Sequence, residues 1–163
     1  MKEGMIILKL ISNVLTKEQA KEIVNWKYEG IYEIYNLSTW DELVKSGCSL
    51  CDDIKRNSFR GYLDEDEQLV GFTNLLDEGD EVFFGIGLNP RMCGKGIGKI
   101  ITKMAIEESK RRFKGKDIKL EVRTWNDRAI NCYKSQGFEI IEMINNKTYI
   151  GYGEFYIMKY FNS

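Results

Sequence analysis

The chain contains no histidine, one proline, four cysteines and no apolar run approaching the ~18 residues of a membrane-spanning helix. Each absence excludes something. Without histidine there can be no Ser-His-Asp or Cys-His hydrolase and no His-ligated zinc enzyme. A general base has to be a carboxylate, a lysine, a cysteine or a relayed water. Cys48 and Cys51 have the C-x-x-C spacing, but no second pair completes a zinc site. Their flanks, Lys45-Ser46-Gly47 and Asp52-Asp53, read as a surface turn, not as the helix start a redox pair would want. Together with Cys93 and Cys132 they read as incidental thiols of a reducing compartment, and no metal is expected. The apolar stretch near the N-terminus breaks at Lys9, too early for the core of a secretion signal, so the expected location is cytoplasmic, with no membrane contact. Repeats, low-complexity tracts and Pro/Ser-rich linkers are missing as well, which points to a single domain over residues 1–163.

What is present suits one folded core. Of 163 residues, 43% are hydrophobic and 12% aromatic, too many for a disordered chain. The net charge of −1 hides an asymmetry. From Glu29 to Glu81 there are 14 acidic residues against 4 basic; from Arg91 to Lys119 there are 10 basic against 3 acidic. One reading is a polarised solvated surface. The other sets the basic segment against an anion and the acidic one against something cationic. Nucleic acid is not an expected partner of a slightly acidic chain.

Periodicity predicts a strand over Met5 to Leu10, then a helix capped by Thr16 with Ala20, Ile23 and Val24 on one face. The aromatic stretch Trp26 to Trp40 is broken at Gly30, and Thr39 or Asp41 begins a short helix around Leu43-Val44. Strands over Ser58–Leu63 and Gln68–Leu76 form a hairpin, and Glu81–Leu88 follows with Val82, Phe84, Ile86 and Leu88 on one face. Beyond Pro90 the period changes. Ile97, Ile100, Ile101, Met104 and Ala105 make the stripe of an amphipathic helix, stopped by Gly115. A strand around Ile118–Val122, a helix from Asn126 to Gln136 closed by Gly137, and strands Phe138–Ile144 and Tyr149–Tyr160 complete the order β-α-α-β-β-β-α-β-α-β-β. The expected fold is α+β, with one mixed, mostly antiparallel sheet flanked by helices.

Between a buried strand and a helix start lie three alternate glycines, Gly94, Gly96 and Gly98, with Lys95, Ile97 and Lys99 between and after them. Missing side chains let an anion approach the backbone, several free N–H groups converge there, and the helix dipole adds positive potential. A flexible strand-to-helix turn would use glycine too. A Walker loop is excluded, since Lys99-Ile100 follows Gly98 in place of Lys-Ser/Thr. A dinucleotide fold would place such a loop after the first strand of a parallel βαβ unit, not after the fourth strand of a meander.

This segment resembles the strand-loop-helix motif Q/R-x-x-G-x-G/A of the GNAT superfamily of acyl-CoA-dependent N-acetyltransferases. Arg91-x-x-Gly94-x-Gly96 matches it literally, and Cys93-x-x-Gly96-x-Gly98 matches except at its first residue. The second register is preferred, because the helix stripe follows it at once. A further stretch, Leu120 to Phe138, carries the family's strand, Asn126, Ala129, Tyr133 and Gly137-Phe138 signature with its spacing kept.

The resemblance implies an acetyl-CoA-dependent transferase acting on a primary amine, either a small molecule or a peptide or protein N-terminus, by direct attack in a ternary complex. It implies that the fourth strand splays from the fifth, that Ile86, Gly87 and Leu88 bond the pantetheine amides, and that Gly94 to Lys99 hold the pyrophosphate. Tyr133 takes the place of the family's leaving-group acid, or it is a core tyrosine. Asn126 contacts the pantetheine arm, or serves only as a helix cap. Glu121 occupies the place of the base in the ribosomal-protein N-acetyltransferase branch, or it is a surface residue between Lys119 and Arg123. Gly87 permits close approach, or marks a bulge. Acceptor choice is expected from Trp26–Trp40 and the last hairpin, Asn145–Glu154. The alternative to an enzyme is a module that binds or senses acyl-CoA without turnover. The exposed edge of the final strand offers a second copy of the chain a place to pair as a homodimer.

Overall fold

Seven strands in the order β1-β2-β3-β4-β5-β7-β6 make up the sheet of the computed structural model, which describes residues 8–148 and 151–162. The strands are β1 (Ile11–Val14), β2 (Phe59–Leu63), β3 (Leu69–Asp77), β4 (Glu81–Leu88), β5 (Asp117–Arg123), β6 (Glu139–Thr148) and β7 (Gly151–Tyr160). Four α-helices accompany them: α1 (Lys17–Val24), α2 (Trp40–Lys45), α3 (Ile97–Arg112) and α4 (Asp127–Ser135). The expected α+β class with a mixed sheet is the observed one. Its contacts divide the chain into two compact units, 1–73 with 87–97, and 74–86 with 98–163.

In the first unit, β1 pairs antiparallel with β2 from Ile11↔Leu63 to Val14↔Arg60. The strand expected over Met5–Leu10 lies partly outside the described residues, and 8–10 are not in a strand. β1 forms later because Leu15 must bury and Thr16 must cap α1, which fixes the register immediately before them. Thr16 and Gln19 make a reciprocal capping box, at 3.1 Å in both directions. As expected, α1 buries Ala20, Ile23 and Val24, and they pack with Leu15, Trp26, Leu50, Phe59 and Leu69. Thr39, not Asp41, caps α2. Cys48 precedes, and Cys51 ends, a 3-10 turn whose Leu50 is buried.

The second unit is built on β5. Its alternation buries Ile118, Leu120 and Val122 and leaves Glu121 exposed. These side chains join Val82, Phe84, Ala105, Ile106, Ile130, Tyr133, Phe138 and Met158 in one core. The buried face of α3 is rotated from the expected stripe: Ile97, Ile101 and Ala105 are buried, but so are Thr102, Ile106, Glu108 and Ser109, while Ile100 and Met104 are only half-buried. Apolar spacing alone did not reveal this, because Thr102 satisfies its hydroxyl on the Gly98 carbonyl at 2.7 Å and so tolerates burial.

The final strand is not an edge. β7 lies between β5 and β6, paired antiparallel with both, and the sheet ends at β6 and β1. Burial explains the order: β7 carries Ile157 and Met158 inside, whereas Glu139 to Met143 of β6 are exposed. The charge asymmetry is also partly internal. Lys116 pairs with Asp77 at 2.7 Å, and Glu81 pairs with Lys159 at 2.9 Å and Lys119 at 3.3 Å.

Candidate active site

β4 and β5 start as parallel neighbours and then part. Among the described residues their ladder runs Glu81↔Asp117, Val82↔Ile118, Phe83↔Lys119 and ends there. β4 continues through Phe84, Gly85 and Ile86, while β5 continues through Leu120 to Arg123, still paired to β7 as far as Arg123↔Phe155. The backbone groups on the facing edges beyond Phe83 and Lys119 therefore lack each other as partners, and such groups have to be satisfied by something else. This is the splay that the resemblance implied.

The tip of β4 is pinned within the first unit. Tyr28 donates from its hydroxyl to the Leu88 carbonyl at 2.7 Å. Asn89 donates its backbone N–H to Val70 at 2.9 Å and its side-chain amide to the Leu69 carbonyl at 3.1 Å, and its side-chain oxygen accepts from the Arg91 N–H at 3.0 Å. Pro90 then opens a 3-10 turn, where its missing N–H costs nothing. Burial, with the Cys93 thiol second, pushes the Tyr28 phenol above the ordinary tyrosine range. Neither Tyr28 nor Asn89 carries a motif, and only the fold reveals their part.

Gly87 is a glycine for a neighbour's sake. A Cβ there would overlap the ring of Phe72 on β3. Ile86, Gly87 and Leu88 are all half-buried. Gly94 and Gly96 have φ of 82° and 78°, left-handed backbone that costs other residues strain, and the space a Cβ would take is open at both. α3 begins at Ile97, which is buried and anchors the turn. The N–H groups of Ile97, Gly98 and Lys99 are accordingly first-turn donors with no intrahelical partner. Lys95 and Lys99 are exposed beside them. This arrangement suits a phosphate group.

Of the other expected residues, Tyr133 and Asn126 belong to α4 and its cap. The Tyr133 ring is buried edge-on to Phe84 and Phe138, with centroids at 6.4 and 6.0 Å. Asn126 is buried and caps α4, accepting from the Ala129 N–H at 3.3 Å. Glu121 projects from the opposite face of β5 to Leu120 and Val122, exposed, and accepts from the Asn146 amide at 3.4 Å. Tyr133 packs with Leu120 and Val122 in the core, so β5's alternation assigns Glu121 and Tyr133 to different sides of the strand.

In the aromatic stretch Trp26 is core, whereas Tyr28, Tyr32 and Tyr35 form a chain of ring contacts at 6.4 and 6.5 Å. Asn36 holds the Tyr28 backbone at both ends, at 2.6 and 3.2 Å. A groove of about 470 Å³ is lined by Lys21, Lys27, Trp40 and Glu42 among others, but by no glycine-loop residue. No group of three or more His, Cys, Asp or Glu side chains that could hold a metal exists among the described residues, and no described helix is long and apolar enough to cross a membrane.

Residues 18–138 match the family model described as the Acetyltransferase (GNAT) family. No curated protein matches the chain. Among solved structures it is similar to a chimera of the spermidine N-acetyltransferase SpeG from Vibrio cholerae and hSSAT, with a TM-score of 0.77 at 22% identity over 94% of this chain and 95% of that one. SpeG from Vibrio cholerae in complex with CoA and spermine gives 0.70 at 20%, over 94% and 95%. The ribosomal-protein-S18-alanine N-acetyltransferase from Escherichia coli gives 0.68 at 19%, over 95% of each chain. At these identities the structures speak for the fold.

Proposed function

This chain belongs to the GNAT family of acetyltransferases, and we propose that it moves an acetyl group from acetyl-CoA to a primary amine by direct attack in a ternary complex, with residues 1–163 acting as one such domain. The observation that carries the reading is the end of the β4–β5 ladder at Phe83↔Lys119. An extended chain with amide groups, such as pantetheine, complements the strand edges left open there, as an added strand would. The open, left-handed glycines before α3 and its first-turn N–H groups suit the pyrophosphate, and Lys95 and Lys99 supply charge. Bound acetyl-CoA supplies the activated acetyl thioester.

The chain's own residues then have two tasks. An amine with a pKa near 10 is mostly protonated at neutral pH and must lose a proton before it attacks. Glu121, exposed on β5, takes that role, directly or through water. The departing sulfur needs a donor, and the Tyr133 phenol is assigned to it. Asn126 orients α4 through its cap, and the contact with the pantetheine arm is assigned to it. The solved structures similar to this chain are named for spermidine and for a ribosomal-protein alanine, both amine-bearing acceptors, which supports an amine here.

The test is steady-state release of CoA thiol from acetyl-CoA over a panel of small amines and peptide N-termini. Sustained turnover on at least one amine is expected. Binding of acetyl-CoA with no turnover on any would instead leave a module that holds the nucleotide.

A further inference from the structure

Arg123 ends β5 with its guanidinium over the Phe155 ring, 4.7 Å from the centroid. It lies across the backbone of the neighbouring strand: a Cβ at Gly153 would collide with the guanidinium, so glycine at 153 is what lets the arginine lie flat there. The side chain is half-buried, yet among the described residues no carboxylate or carbonyl accepts from it. Acids are nearby and engaged elsewhere. Glu154 accepts from the Thr124 hydroxyl at 2.9 Å, and Glu121 accepts from the Asn146 amide at 3.4 Å. A half-buried guanidinium carries five donors in a fixed fork, and such groups are ordinarily matched by a carboxylate or phosphate. Glu121 and Arg123 share one face of β5, roughly 6.6 Å apart along the strand.

We propose that Arg123 is the acceptor-specificity residue and that the acceptor is an amine carrying its own carboxylate, an amino acid or a short peptide with a free C-terminus. This rests on the acetyl-transfer reading above. The acceptor's amine is drawn toward Glu121, and its carboxylate accepts from the Arg123 fork. Held at two points, the amine is presented to the thioester in one orientation. A polyamine such as spermidine, by contrast, would set a second cation against Arg123, in a half-buried place where like charges repel strongly.

The test compares kcat/KM for glycine, β-alanine and 4-aminobutyrate, and for a dipeptide, each against its carboxamide, with spermidine alongside. For at least one pair the acid should exceed its amide by roughly 10- to 100-fold, the effect of one charge-assisted hydrogen-bond set. Arg123→Met, which keeps the aliphatic contact with Phe155, should erase that preference by lowering kcat/KM for the acid toward that of its amide. Gly153→Ala retains the arginine but displaces it, and should weaken the preference as well. The acetyl-CoA-induced thermal shift of each variant reports whether it is folded. Turnover of amides or spermidine equal to or better than that of the acids would overturn the inference and leave acetyl transfer standing. Turnover on no acceptor would overturn the acetyl-transfer reading and the inference with it.

Discussion

The hydroxyl of Tyr28 donates a 2.7 Å hydrogen bond to the carbonyl of Leu88, the last residue of β4, across sixty positions of sequence. That bond ties the aromatic stretch after α1 to the strand tip from which the glycine loop departs. Tyr28→Phe keeps the ring and its edge contact with Tyr35 and leaves the carbonyl without that donor. A loss of about 1 kcal/mol is expected, seen as a melting temperature lower by about 2–4 °C. In an alkaline absorbance titration the variant should lose a tyrosine that ionises above the ordinary tyrosine range, since burial holds the Tyr28 phenol up. Identical titration curves would mean that the phenol is solvated.

Acetyl-CoA should raise the melting temperature, because a ligand that binds only the folded chain stabilises it by mass action. Gly96→Asp adds both a carboxylate and left-handed strain at φ 78° and should abolish the shift. Gly96→Ala adds only the strain, a cost of about 1 kcal/mol, and should retain part of it. A full shift in the Asp variant would take the phosphate away from this loop.

Tyr133→Phe should lower kcat by about 10- to 1000-fold with acetyl-CoA affinity near wild type, since the ring packing against Phe84 and Phe138 survives. Unchanged kcat on a good acceptor would reduce Tyr133 to a packing residue.

Glu121→Gln removes the proposed base without altering its size. Its effect on kcat/KM should be greatest well below the pKa of the amine, where deprotonation is hardest, and should shrink as pH rises. A uniform effect at all pH values would move the base to water and leave Glu121 a binding role.

Stability should fall on the acid side through Glu81. The hydrogen bond from Lys159 comes first among the causes that hold its carboxyl below the ordinary glutamate range, and Lys119 adds to it. A carboxyl lowered by folding contributes stability above its unfolded pKa and loses that contribution as pH drops through the folded value. Glu81→Gln should therefore melt lower than wild type at pH 7, by the equivalent of about 0.5–1 kcal/mol. The gap should begin to narrow near about pH 4, the unperturbed glutamate value, and close once the pH lies below the lowered folded value. Melting curves at the two pH values decide it, and a gap that persists in acid would trace the loss to packing.

Local chemistry alone determined much of this protein. The Thr16–Gln19 capping box, the bounds of β4 and the Asn126 cap are decided within a few residues by hydrogen bonds and side-chain period, and all stand in the sequence as they do in the fold. The glycine loop and the Asn126–Tyr133 signature were legible for the same reason, because backbone conformation and helix spacing are short-range. Tertiary structure decided the rest. That β7 and not β6 lies against β5 follows from which strand buries more apolar surface, a comparison the chain makes only once both strands compete for one place. That Gly87 clears room for Phe72, that Gly153 clears room for Arg123, and that Tyr28 reaches Leu88 depend on neighbours brought together from other strands and loops. No periodicity records such pairings, because steric exclusion and hydrogen bonding act between atoms in space, wherever their residues fall along the chain.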